Sequence, residues 1–281
     1  MKKHYKTKSD DAVVGIYTAV LIIALIVVIV TMIQTVYIPQ WMKSAEYKHM
    51  NEVSNQFAQM KCAIDLQSIT NGSTVIGNLI NMGNIEIPFL GVHESYDELS
   101  IASDTCKFMI SNKSGFNCFY STDAIKFTSH NTNFVDQSYI YEAGALILNQ
   151  ADESVLIARP SILVTDYEKN LTITFINVSS GTGANNLASG HGTYLIYTHI
   201  IQNNQQYTII NNVTKITIQT NYPDAWRNGF TVSLLYSGFE NQINRTAEGI
   251  IINFIDSNED YYNVSIKEIK INADLAFGVV E

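Results

Sequence analysis

The pattern of apolar and polar positions changes twice along this chain, from an unbroken apolar run to a helical stripe and then to alternation. Residues 12–33 read AVVGIYTAVLIIALIVVIVTMI, with no charged side chain, and after Asp11 the next charge is Lys43. A helix of these 22 residues rises about 33 Å at about 1.5 Å per residue, enough to cross a hydrocarbon layer of about 30 Å. Backbone groups in lipid must bond one another, so the run is expected to be helical despite its β-branched residues. A buried core helix rarely stays apolar on every face for so many turns. The pattern therefore predicts a membrane-spanning helix over 12–36.

From 40 to about 67 the period becomes helical. Met50, Val53, Phe57, Met60 and Ile64 recur at steps of three and four, while Lys48, Asn51, Glu52, Asn55 and Lys61 fall off the stripe. Residues 37–70 are read as a helical stem that continues the membrane helix, and Pro39 between the two stretches permits a kink or a brief break. The stripe is expected to pack against the domain that follows; packing against neighbouring copies is the alternative.

Beyond residue 72 alternation with period two takes over. The clearest strands are 170–178 (NLTITFINV), 214–220 (TKITIQT) and 264–272 (VSIKEIKIN). Shorter candidates lie at 75–79, 107–111, 124–129, 145–149, 161–166, 193–200, 231–236 and 249–255. Many strands separated by Asn, Gly and Ser turns predict an antiparallel β-sandwich over 71–281, of jelly-roll or immunoglobulin-like type. One interruption, YPDAWRNG at 222–229, has Pro near its start and Gly at its end, as a short helix would. About 210 residues suffice for one large β domain or two small ones.

Charge sets the orientation. Lys2, Lys3, Lys6 and Lys8 precede the apolar run and no similar cluster follows it, which predicts a cytoplasmic head over 1–11 and an exported remainder. A cleavable secretory signal is disfavoured, because its apolar region is about 7 to 15 residues long and ends in a small-x-small site. Tyr37 and Trp41 are placed as aromatic anchors at the outer interface. From Ala12 onward there are 13 basic and 24 acidic residues, a surface that repels nucleic acid. Export makes a Cys106–Cys118 disulfide a candidate across a hairpin, with Cys62 expected as a small buried residue on the stem. Seven N-x-S/T sequons, at Asn71, Asn112, Asn170, Asn177, Asn212, Asn244 and Asn263, are candidate glycosylation sites.

The chain offers little catalytic chemistry. The Gly-rich segment 181–192 (GTGANNLASGHG) lacks the Gly-Lys-Ser/Thr ending of a phosphate loop and lies between strands, which predicts a flexible loop. Asp256, Asn258 and Asp260 have the opening spacing of a calcium loop. Tyr261 stands where that loop needs Gly, and Lys267 where it needs Glu, so a polar hairpin turn is expected instead. No Gly-x-Ser-x-Gly elbow or Cys-His zinc spacing occurs. No catalytic residue, cofactor or metal is assigned. Paired glycosidase carboxylates have no local signature, so a carbohydrate-binding or glycoside-cleaving ectodomain is kept as the alternative function, with surface glycans as its partners.

The head and first turns, Asp10, Asp11, Ala12, Val13, Val14, Gly15 and Ile16, resemble the start of archaeal type IV pilin-like proteins. That resemblance implies leader cleavage between Ala12 and Val13 and assembly of identical subunits through the apolar helix. Further segments, YIPQW at 37–41, residues 46–65, NFVDQSYIYEAGA at 133–145 and YPDAW at 222–226, are similar to an uncharacterised family of archaeal exported proteins with the same head. The implied function is a non-enzymatic surface protein, anchored in the bilayer or forming a filament. Within the third segment, Tyr141, Glu142 and Gly144 are read as a strand followed by a glycine bulge, and Glu142 is given no catalytic role.

Overall fold

The computed structural model describes residues 8–70, 72–83, 85–87, 91–93, 96–151, 153–165, 169–181, 185–234, 241–254 and 262–277. Helix α1 (Lys8–Met32) passes into α2 (Ile38–Thr70) through five residues of wider π-helix, Ile33–Tyr37. The helix therefore continues from the apolar run into the stem, as expected, and widens just ahead of Pro39. Proline removes an N–H and its ring crowds the carbonyl four residues earlier. Here the backbone opens ahead of it, with the Ile38 N–H reaching back to the Ile33 carbonyl, an i→i−5 bond.

The strands follow as β1 (Ile76–Met82), β2 (Ile85–Ile87), β3 (Gly91–His93), β4 (Tyr96–Asn112), β5 (Asn117–His130), β6 (Gln137–Glu142), β7 (Ala145–Gln150) and β8 (Glu153–Ala158). Then come β9 (Ile162–Thr165), β10 (Asn170–Ser180), β11 (Leu187–Gly190) and the 29-residue β12 (Gly192–Thr220). Helix α3 (Pro223–Leu234), β13 (Asn241–Thr246), β14 (Gly249–Phe254) and β15 (Tyr262–Phe277) complete the chain. The main sheet runs β8-β7-β6-β5-β4-β12-β15-β10-β9, with β1, β11 and the β13–β14 hairpin attached to it; β2 and β3 form a small separate sheet. All pairings are antiparallel except β10 with β15. The architecture is an N-terminal helix followed by a large, almost wholly antiparallel β domain, as the alternation predicted.

Two hydrophobic cores lie in this domain. On the helix side, Met50, Val53, Phe57, Met60 and Ile64 of α2 pack on Leu99, Ile125, Phe127, Tyr139, Tyr141, Ile196 and Ile271. The far core gathers Phe108, Ile140, Ile147, Phe175, Ile216, Trp226, Phe230 and Ile252. β6 separates the two cores and is buried on both faces. The long strands serve both cores by switching buried parity: Leu171, Ile173 and Phe175 face the far core, and Ile176 and Val178 face the helix side. In β4 the switch falls at Asp104, whose φ of 54° accompanies a register shift between Ala102 and Cys106. The stem stripe therefore packs against its own β domain.

Several local expectations are corrected. Residues 231–234 belong to α3, not to a strand, because Ala225, Trp226, Gly229, Phe230 and Leu234 form one buried helical face. The Gly-rich segment holds β11, paired with β4; residues 182–184 of it, and the turn at 255–261, lie outside the described residues. No bulge follows Glu142: Ala143 and Gly144, with φ of 48° and 83°, close a two-residue hairpin. Cys62 is exposed.

Candidate functional site

The stem and the base of the β domain form the most elaborate polar junction in the molecule. Helix α2 presents Glu46, His49 and the backbone of Met50 in succession to loops and strand ends of the domain. The Glu46 carboxylate is fully buried and accepts the backbone N–H groups of Thr132, Asn133 and Phe134 at 3.1, 2.8 and 2.6 Å. Three converging donors make a concave anion seat out of the β5–β6 loop. One turn along, His49 Nε2 lies 2.8 Å from Asp97 Oδ2, which also accepts the Gly83 N–H at 2.6 Å. The Tyr139 hydroxyl donates to the Met50 carbonyl. At the upper end of the helix, Gln67 donates to the Thr74 and Thr198 carbonyls and accepts from the Thr198 hydroxyl.

None of these polar residues belongs to the apolar stripe that revealed the stem. A signal was present all the same, because Glu46 and His49 continue the three-and-four spacing one turn ahead of Met50 and Val53. Below the junction the environment inverts. Every side chain from Val14 to Tyr37 is exposed. Tyr37 and Trp41 lie one turn apart with tilted rings whose centroids are 6.2 Å apart.

A second buried polar group lies on the far-core side of β6. Glu142 ends β6 with no exposure, and its Oε1 accepts from Thr220 Oγ1 and Trp226 Nε1, both at 2.7 Å; among the described residues Oε2 has no hydrogen-bond partner. Burial drives its pKa from 4.5 to about 7, outweighing the donors, which favour the ionised form. Burial raises Tyr222 to about 12, with the charge of Glu142 adding to the shift. Burial, again reinforced by Glu142, holds the Cys106 thiol well above its usual range. Beside this group a polar cleft of about 520 Å³ is lined by Asp104, Thr105, Lys107, Asn221, Arg245 and Glu248 among others. Its two acids are engaged: Asp104 pairs with Lys107 at 3.6 Å, and Glu248 accepts from Gln219 at 3.4 Å. No aromatic ring is among its lining residues, but an adjoining cleft of about 460 Å³ that shares Asp104, Lys107 and Gln219 is lined by Phe108, Phe119 and Tyr120.

The candidate sites named from sequence are dispersed over the molecule. Ala12 and Val13 are in the first turns of α1. Cys106 and Cys118 are free thiols, which corrects the proposed disulfide: β4 pairs Cys106 with Thr122 and Ile110 with Cys118. The four-residue offset separates the cysteines by about 13 Å along the ladder, beyond the roughly 7 Å that a bridge tolerates. Asn71 lies outside the described residues. Asn177 is half-buried and its amide donates to Glu268; Asn244 is exposed on β13. The remaining four sequons gather at the end of the domain opposite the stem junction. Asn112 pairs with Val213 next to exposed Asn212, Tyr262 pairs with the same Val213, and Asn170 pairs with Asn263. Comparison with known proteins finds no matching protein-family model, no matching curated protein and no matching solved structure.

Proposed function

We propose that this chain is a single-pass surface protein, without catalytic activity, whose N-terminal helix anchors an extracellular β domain in the lipid bilayer. The observation that carries this reading is the run from Val14 to Tyr37, apolar, helical and exposed on every side. About 25 Å² of apolar surface left in water forgoes ~0.6 kcal/mol, and this helix leaves whole turns uncovered, so it needs an apolar solvent. The basic head keeps the N-terminus cytoplasmic and places the four-sequon end farthest from the membrane, where attached glycans meet the surroundings.

A second reading, a pilin-like filament subunit made of identical copies, is favoured by the continuity of α1 with a stem laid along the β domain. In that arrangement the apolar helices bundle with one another in place of lipid, after cleavage between Ala12 and Val13. Fractionation of cells followed by N-terminal sequencing of the native protein tests both. An intact Met1 in the membrane fraction supports the anchor, and a chain beginning at Val13 in sheared filaments supports the subunit. Recovery in the soluble fraction would overturn both.

A further inference from the structure

The end of the β domain nearest the membrane helix carries its own apolar and aromatic surface. The β5–β6 loop is the first part of the domain met on leaving the membrane: Glu46 seats Thr132, Asn133 and Phe134, and Asn133 Nδ2 reaches Met42 Sδ at 3.5 Å. Beside the loop, the Phe134 ring, half-buried against the helix-side core, meets Tyr47 edge-on at 5.6 Å, and Tyr47 is 54% exposed. Val135 is 42% exposed at the loop tip. At the base of the loop, exposed Tyr96 and His130 lie ring to ring at 6.3 Å.

Height along the helix says what this surface meets. Glu46 lies five residues beyond Trp41, about 7.5 Å at 1.5 Å per residue. Met42, which Asn133 touches, lies six residues or about 9 Å beyond residue 36, where the span ends, so the loop begins at the outer edge of a headgroup layer about 5 to 8 Å deep. Tyrosine suits that zone because it offers an apolar body and a wet tip. Lys43 and Lys48 are exposed on the same stretch of stem and favour anionic headgroups. Asp136, exposed on the same loop, accepts the Asn131 N–H at 2.7 Å.

The geometry points to a second membrane contact: the β5–β6 loop, with Phe134 and Val135 at its tip and Tyr47 and Tyr96 beside it, rests in the headgroup layer of the bilayer that α1 crosses. The surface is continuous with the membrane-spanning helix and so shares its occupant. This inference rests on the anchor reading. Its consequence is that the β domain sits down on the membrane and is not carried above it on a free stalk.

The test uses the full chain with Cys62→Ser and Cys118→Ser, reconstituted into phosphatidylcholine–phosphatidylglycerol vesicles. One environment-sensitive fluorophore is attached at Val135→Cys, at Leu25→Cys or at Ser114→Cys. Ser114 lies on the β4–β5 turn, at the opposite end of the ladder that starts at Tyr96 and His130. The expected result is strong quenching at 135 by headgroup spin-labelled lipid, strong quenching at 25 by acyl-chain label, and none at 114. Quenching at 25 without quenching at 135 overturns the second contact and leaves the anchor standing. Loss of quenching at 25 overturns both. Quenching at 135 that appears only at high protein density in the vesicles assigns the surface to a second copy and overturns the lipid contact.

Discussion

At the scale of single residues, two of the buried carboxylates, Glu46 and Glu142, follow opposite rules. Glu46 is surrounded by backbone donors, which replace the water it gave up. Glu142 takes Trp226 and Thr220 as donors on one oxygen, and burial dominates. Its folded pKa of about 7 lies above the ordinary 4.5. Between those values the folded chain holds a proton that the unfolded chain has lost, so stability is complete below pH 4.5 and falls as pH rises toward 7. At about 1.4 kcal/mol per pKa unit the loss is on the order of 3 kcal/mol. Glu142→Gln keeps an acceptor for Trp226 and Thr220 and carries no charge. In detergent, urea unfolding followed by tryptophan emission should show wild type and variant nearly matched at pH 5, with the variant the more stable at pH 8. Equal differences at the two pH values would remove the argument. The resemblance to exported proteins drew attention to Glu142 as a structural element, but its partners come from strand β12 and helix α3 and carry no local sequence signal.

At the scale of elements, the stem is a core helix along its buried stripe. Phe57 is fully buried, with ring centroids 6.3 Å from Phe127 and 6.0 Å from Tyr139. Phe57→Ala should cost about 3–5 kcal/mol, the range for emptying a large aromatic site. Lys48→Ala on the exposed face should stay within about 0.5 kcal/mol. Chemical unfolding monitored by circular dichroism distinguishes the two, and equal effects would mean that the stem is not part of the core. This helix was legible because its apolar period is strong. The strands were legible as fragments: β4 showed only 107–111 and β12 only its two ends. In β4 the buried parity changes at Asp104, and β12 passes from one core to the other across register shifts between Ile200 and Val213; a strand that turns its core face over breaks the alternation that reveals it. The segment at 231–236 read as a strand for the reverse reason, since its β-branched and apolar residues mask a helical face fixed by Trp226 and Phe230. The Glu46 seat escaped notice because backbone N–H groups have no letter in the sequence.

At the scale of the whole molecule, the chain is polarised along one axis. Lipid-compatible surface is at the N-terminal end, the polar stem junction follows, and four sequons mark the opposite end of the β domain. The helical axis is continuous through that junction, yet it contains one wide turn at Ile33–Tyr37. That turn bears on an angle as well as a length. A π-turn holds one residue more than an α-turn, and each residue advances an α-helix by about 100°. The face that α1 shows to its surroundings thus keeps its azimuth against the face that α2 gives to the β domain. Because the wide turn takes up one residue within itself, deleting Thr35 should restore regular α-helix and leave the bearing and height of the domain almost unchanged. Deleting Leu25, inside regular α-helix, should instead turn the domain about 100° against the lower half of α1. In paired copies, cysteine cross-links between β domains should persist in the first variant and move to other positions in the second. A shift in the first variant would mean that the wide turn absorbs nothing. The five residues at the membrane exit thus work as a slip joint, which takes up a residue without changing which way the domain looks across the surface that bears it.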